Sequence, residues 1–203
     1  MNEINTRKQR WPPKSCEMPD ISDLTDINTL GLMLNVIFRK AGPTDYQARA
    51  LWTNYVRLVD QVVREYNAAR KELQLYVNTP NNVMSPLFVC TGHFESCITT
   101  MKRAIVFARR MRRHKNGPQI GKYEVLASSG KKIVDLRDAI EHLDEDILKG
   151  NIPQGSSILL KVNSDSLELA GNEIFFSDLA KWIRELHKIA SELIDYRDEE
   201  IRS

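Results

Sequence analysis

The chain has 203 residues, 42% hydrophobic and 28% charged, with 29 Lys and Arg set against 27 Asp and Glu. That is the balance of a soluble globular domain long enough to bury a core, and a net charge of +2 says nothing about partners by itself. No stretch approaches the roughly 18 apolar residues of a membrane span, and "MNEINTRKQRWPPK" lacks the apolar centre of a secretory signal. With an odd count of three, Cys16, Cys90 and Cys97 are expected as free thiols in a reducing cytoplasm.

Residues 1 to about 23 hold Trp11-Pro12-Pro13, Pro19 and the basic residues Arg7, Lys8, Arg10 and Lys14. They are expected as an irregular arm laid over the rest through Trp11. Residues 24–203 then form one domain. A first helix is expected from about Asp26 to Arg39, with Leu30, Leu34 and Ile37 at helical spacing, and Ala41-Gly42-Pro43 stops it. A long second helix follows to about Tyr76. Thr44 is its expected N-cap, Gln47 completes a capping box, and Leu51, Tyr55, Leu58, Val62 and Tyr66 form its apolar stripe.

The third helix spans about Ser85 to Arg113, with Cys90, Phe94, Cys97, Met101, Ile105 and Ala108 facing inward. A fourth covers about Lys131 to Lys149, its seam made by Ile133, Leu136, Ile140, Leu143 and Ile147. After Gly150 the period becomes two. "SSILLKV", "SLELA" and "EIFF" predict a hairpin or three-stranded meander within residues 157–176. Ser177 caps a closing helix through Leu179, Ile183, Leu186, Ile189 and Leu193. The fold class is all-α: an up-and-down bundle of about five helices with a small β insertion.

Neither a cofactor nor a metal is expected. "SSGKK" (128–132) has Val125 and Lys132 where a P-loop needs glycine and Ser or Thr, and no dinucleotide fingerprint exists. Cys90, His93 and Cys97 share one helical face but lack a fourth ligand and paired-cysteine spacing, so core packing accounts for them. The basic run is different. "RRMRRHK" from Arg109 to Lys115, preceded by Lys102 and Arg103, complements the negative end of a helix, which accounts for two or three of its cations. Lys102, Arg103, Arg109, Arg110, Arg112 and Arg113 together make a footprint for RNA phosphates.

The fourth helix carries the second candidate, "RDAIEH" from Arg137 to His142. On a straight helix the two side chains are about 140° and 7.5 Å apart, so both reach one phosphate only if a second copy of the helix supplies its own pair across a two-fold axis. A histidine can move a proton at neutral pH, and an arginine can hold a phosphate and stabilise its developing charge. Asp138 and Glu141 are placed to orient the imidazole. Arg109 and His114 have the same spacing, but at a helix end running into Asn116-Gly117-Pro118.

Arg137-Asp-Ala-Ile-Glu-His142 resembles the R-x4-6-H motif of HEPN domains, helical modules of prokaryotic toxins and antiviral systems, and a polar residue after the arginine, here Asp138, suits that pattern. The resemblance covers roughly Asp45 to Ser203. It implies a homodimeric, metal-independent endoribonuclease acting as a toxin or defence effector, leaving 2′,3′-cyclic phosphate ends, with a cognate antitoxin or regulatory protein as partner. Asp144 stands where some of these toxins carry a modifiable tyrosine. The alternative reading is a non-catalytic helical bundle that binds a partner protein or RNA.

Overall fold

The computed structural model describes residues 11–24, 27, 31, 34, 41–80, 83–127, 130–152, 157, 159–194 and 196. The first helix expected from Asp26 to Arg39 falls largely outside them. The described elements are α1 (Tyr46–Asn78), α2 (Ser85–Arg113), a 3-10 turn (Glu124–Leu126), α3 (Gly130–Glu141), α4 (Leu143–Lys149), β1 (Lys161–Val162), β2 (Ser166–Leu169), β3 (Asn172–Phe175) and α5 (Phe176–Ile194). The chain is a mostly helical bundle with a small three-stranded antiparallel sheet in the order β1-β2-β3.

The long hairpin of α1 and α2 is the frame. Tyr55, Leu58, Val62 and Tyr66 on α1, and all six residues of the expected α2 stripe, are fully buried. The apolar faces lie where the 3.6-residue period puts them, because each helix hides one stripe against the other. Two long-range bonds fasten α5 antiparallel to α1: Trp52 Nε1 donates to the Leu193 carbonyl at 2.8 Å, and the Tyr55 hydroxyl donates to that of Leu186 at 2.9 Å. Gly42, at φ +92°, carries the chain into α1, and a Cβ there would stand 2.6 Å from the Trp52 ring. Only glycine fits that turn.

The α1 cap is Asp45 and not Thr44. Asp45 Oδ1 accepts from the Ala48 amide at 2.8 Å, closing the ring that the preceding threonine was expected to close. Its other contacts come from the far end of α2, where Asn116 Nδ2 lies 3.4 Å from Oδ2 and His114 Nε2 3.7 Å from Oδ1. The Ala48 amide first, then Asn116 and His114, hold this carboxyl below the usual range. A depressed carboxylate adds stability above its unfolded value, about 3.9, and loses it as pH falls through the lower folded one. Asp45→Asn, which keeps an acceptor without the charge, should therefore flatten the fall in thermal midpoint below about pH 4. An acid limb identical to wild type would remove Asp45 as a source of that pH dependence.

The arm lies over α1 and α5, but its anchors are Met18 and Ile21, both buried, whereas Trp11 is 39% exposed. Tyr66 donates to the Pro19 carbonyl, Arg70 to that of Met18, and Arg184 grips Asp23 through Nη1 and Nη2. The expected β segment narrows to residues 161–175. Residues 159 and 160 are not in strand, and Phe176 already opens α5, so Ser177 lies inside that helix and not at its cap.

The fourth expected helix is two. α3 ends at Glu141, His142 adopts φ −107° and ψ 14°, and α4 runs seven residues to Gly150, whose left-handed φ of 69° ends it. Ile133 and Leu136 of the expected seam are fully buried, Ile140 and Leu143 only partly, and Ile147 is half exposed. α4 buries no residue at all. The periodicity continues, but the neighbour it needs does not.

Candidate functional site

α3 lies antiparallel to α2. Its start approaches the Arg109 guanidinium, and its end shares an apolar groove with Leu87, Phe88 and Thr91 at the opposite end of α2. From Thr91 to Arg112 is 21 residues, or about 30 Å at 1.5 Å per residue. His142 therefore lies at the end of α3 away from Arg109, 12 residues or about 18 Å from Gly130, with Arg137 about midway.

At the pair's end, Arg137 is four-fifths buried and already held. Its Nη1 lies 3.0 Å from Asp138 Oδ1, its Nη2 is paired with Glu141, and its buried Nε has no partner among the described residues. Asp138 and Glu141 thus hold the arginine and not the imidazole they were expected to orient. His142 stands apart from it, more than half exposed, with Nδ1 3.9 Å from Glu145 Oε1. The break after Glu141 is slight, since the His142 amide still bonds the Asp138 carbonyl and the His142 carbonyl still accepts from Asp146. His142 lines an open cleft of about 480 Å³ together with Asp135, Asp138, Glu145 and Asp146. Four carboxylates around one imidazole make a negative surface, which opposes the approach of a phosphodiester.

At the other end, five cations line one side of α2. With 100° per residue, Lys102, Arg103, Arg109, Arg110 and Arg113 fall within an arc of about 120°, on the side away from the buried stripe. Arg109 is structural: its Nε donates to the Leu126 carbonyl at 3.1 Å and its Nη2 to that of Ala127 at 3.0 Å, fixing the 3-10 turn. Arg103, Arg110, Arg112, Arg113 and Lys115 are exposed, and among the described residues no carboxylate pairs with them or with Lys102. His114, in the runner-up Arg109–His114 spacing, is tied to Asp45 and to the Asn116 amide.

The thiol–imidazole group on α2 does not come together. Cys90 and Cys97 are fully buried, and burial pushes both thiols well above their ordinary range, so they are unreactive at neutral pH. His93 turns instead to Glu65, with Nδ1 2.8 Å from Oε2. Among the described residues no cluster of three potential ligands could hold a metal ion, and no helix is long and apolar enough to cross a membrane.

Fold and site together define a helical-bundle protein with a cationic face at one end and a carboxylate-rich cleft beside a bare apolar surface at the other. Compared with known proteins, the chain matches no family model, no curated protein and no solved structure. The apolar groove is the feature that sequence reasoning missed. Its signal was there in Phe88 and Val89, which stand outside the α2 stripe and are 62% and 45% exposed.

Proposed function

We propose that the chain is a non-catalytic helical module that binds RNA through the cationic face of α2. One observation carries this reading: Arg103, Arg110 and Arg113 are exposed and without counter-ions among the described residues, on one side of a rigid helix, with exposed Arg112 and Lys115 close by. Helix-end electrostatics explain cations in the last turn, but not Lys102 and Arg103 more than two turns earlier. Contacts of this type neutralise phosphates and carry little sequence information.

The test is a salt series with fluorescently labelled single-stranded RNA. Each lost phosphate contact should flatten the plot of log affinity against log salt by about 0.7. Arg110→Ala and Arg113→Ala should each do so, while Arg109→Ala should lower the thermal midpoint because it releases the 3-10 turn. Absence of binding even at about 50 mM salt, where phosphate contacts are strongest, would overturn the proposal.

A second reading keeps RNA but makes the chain a HEPN-type toxin or defence ribonuclease, restrained by an antitoxin or other regulatory protein. The observation favouring it is His142, an exposed imidazole at a helix break, followed by a helix that buries nothing and so leaves room for the second copy a composite site requires. It predicts a homodimer and cleavage that survives excess chelator, leaves 2′,3′-cyclic phosphate and 5′-hydroxyl ends, and falls about 10²–10⁴-fold in His142→Ala. Arg137→Lys should be impaired as well, since an ammonium cannot reproduce the guanidinium fork. RNA binding without such cleavage leaves the first reading standing.

A further inference from the structure

At the end of the bundle remote from the basic face, an apolar groove of about 170 Å³ opens between α2, the junction of α3 and α4, and the start of the sheet. Trp11, Phe88, Leu143 and Leu159 line it, with Glu95 as its charged member. Phe88 is 62% exposed and Leu159 46%, and α4 next to them bares Ile147 and Leu148. Bulky apolar side chains gathered this closely on a surface mark an interaction site, because leaving them in water is unfavourable.

Charge decides what fits. Asp144, Glu145 and Asp146 follow Leu143 directly, and among the described residues only Glu145 of the three has a lysine, Lys149, at hand. Glu95 meets no cation among the described residues, and partial loss of water around it raises its carboxyl above the usual range. An incoming cation would relieve that cost. A second copy meeting this surface symmetrically would set its own Asp144–Asp146 against these carboxylates, and RNA phosphates would be repelled by them. We infer that the groove is the docking site for a basic amphipathic segment of a partner protein, an apolar side chain seated between Phe88 and Leu143 and lysine or arginine side chains over Glu95 and Asp144–Asp146.

Trp11 reports on occupancy. It is 39% exposed at the groove, whereas Trp52 and Trp182 are at most 2% exposed, so acrylamide quenching of the full chain senses mainly Trp11. The probe is a synthetic helical peptide with Leu and Phe on one face and Lys on the flanks. Two controls replace its lysines by glutamate or its apolar residues by alanine. The lysine peptide should protect Trp11, more weakly at high salt, and both controls should fail.

Phe88→Ser and Leu159→Ser, both at exposed positions, should keep the wild-type melting temperature while each weakens the lysine peptide about tenfold or more. Glu95→Gln should weaken it up to about fivefold, as loss of one half-exposed ion pair. Equal binding of the glutamate peptide, unchanged affinity in Phe88→Ser and Leu159→Ser, or no protection at millimolar peptide would each overturn the proposal. So would a doubled mass in solution that Leu159→Ser abolishes, since the occupant would then be a second copy.

Discussion

Reversing two charges on the cationic face, Arg110→Glu with Arg113→Glu, is expected to lower affinity for single-stranded RNA by about 10²–10³-fold at physiological salt. The two side chains lie about 60° apart on the exposed side of α2 and one turn apart along it, so one strand can touch both. A hydrogen bond to a charged group contributes about 1.5–3 kcal/mol, so losing two removes two to four powers of ten before new repulsion is counted. Part of that range is returned by a flexible strand that moves its contacts to Arg103 and Lys115. The same change sets two carboxylates against the negative end of the helix, at about 0.3–1 kcal/mol each, so the variant's melting curve must be measured beside its binding. His142→Ala supplies the contrast. It lies in a carboxylate-lined cleft 12 residues, about 18 Å, along α3 from the Gly130 end that meets Arg109, and RNA binding should not notice it. If the histidine change abolished binding and the reversal did not, the RNA site would lie at the other end of the bundle.

What could be read in the sequence follows from what each interaction needs. The bounds and the buried stripe of α2 were legible because a long amphipathic helix declares its inward face by period alone. The alternation after Gly150 announced the sheet for the same reason. The α1 cap was misplaced by one residue because Thr44 and Asp45 can both accept an amide bond, and Asn116 and His114 add contacts to the aspartate that the local sequence does not show. The break at His142 was invisible. Leu143 and Ile147 continue the seam at three- and four-residue steps, and nothing local says that the core they should cover gives out beyond Leu143.

The candidate site shows the same division. That Asp138 and Glu141 sit near Arg137 on the helical wheel was legible, but not that they would hold the arginine and leave the histidine apart. The separation of the basic face from the Arg–His pair is a property of antiparallel packing between α2 and α3. Such a long-range relation has no trace in a local pattern. The role of Arg109 has the same origin, since the carbonyls it binds lie 17 and 18 residues away.

Phe94→Ala should be the most damaging single truncation in the hairpin, at about 3–5 kcal/mol. The ring is fully buried, stands edge-on to Tyr66 of α1 with centroids 6.5 Å apart, and stacks at 5.3 Å on Phe176, the first residue of α5. It therefore ties the two long helices to the point where the sheet hands over to the closing helix. Its removal leaves a cavity that three elements must collapse to fill, and aromatic pairs add about 0.5–1.5 kcal/mol beyond their buried area. Against a typical total of about 5–15 kcal/mol, the variant should still fold but with a much lower urea midpoint and an unchanged slope. Phe88, six residues earlier on the same helix and 62% exposed, gives the internal control. Phe88→Ala should change stability by no more than about 0.5 kcal/mol. A loss below about 1 kcal/mol at Phe94, or an equal loss at both positions, would mean that α2 does not present these two faces as described.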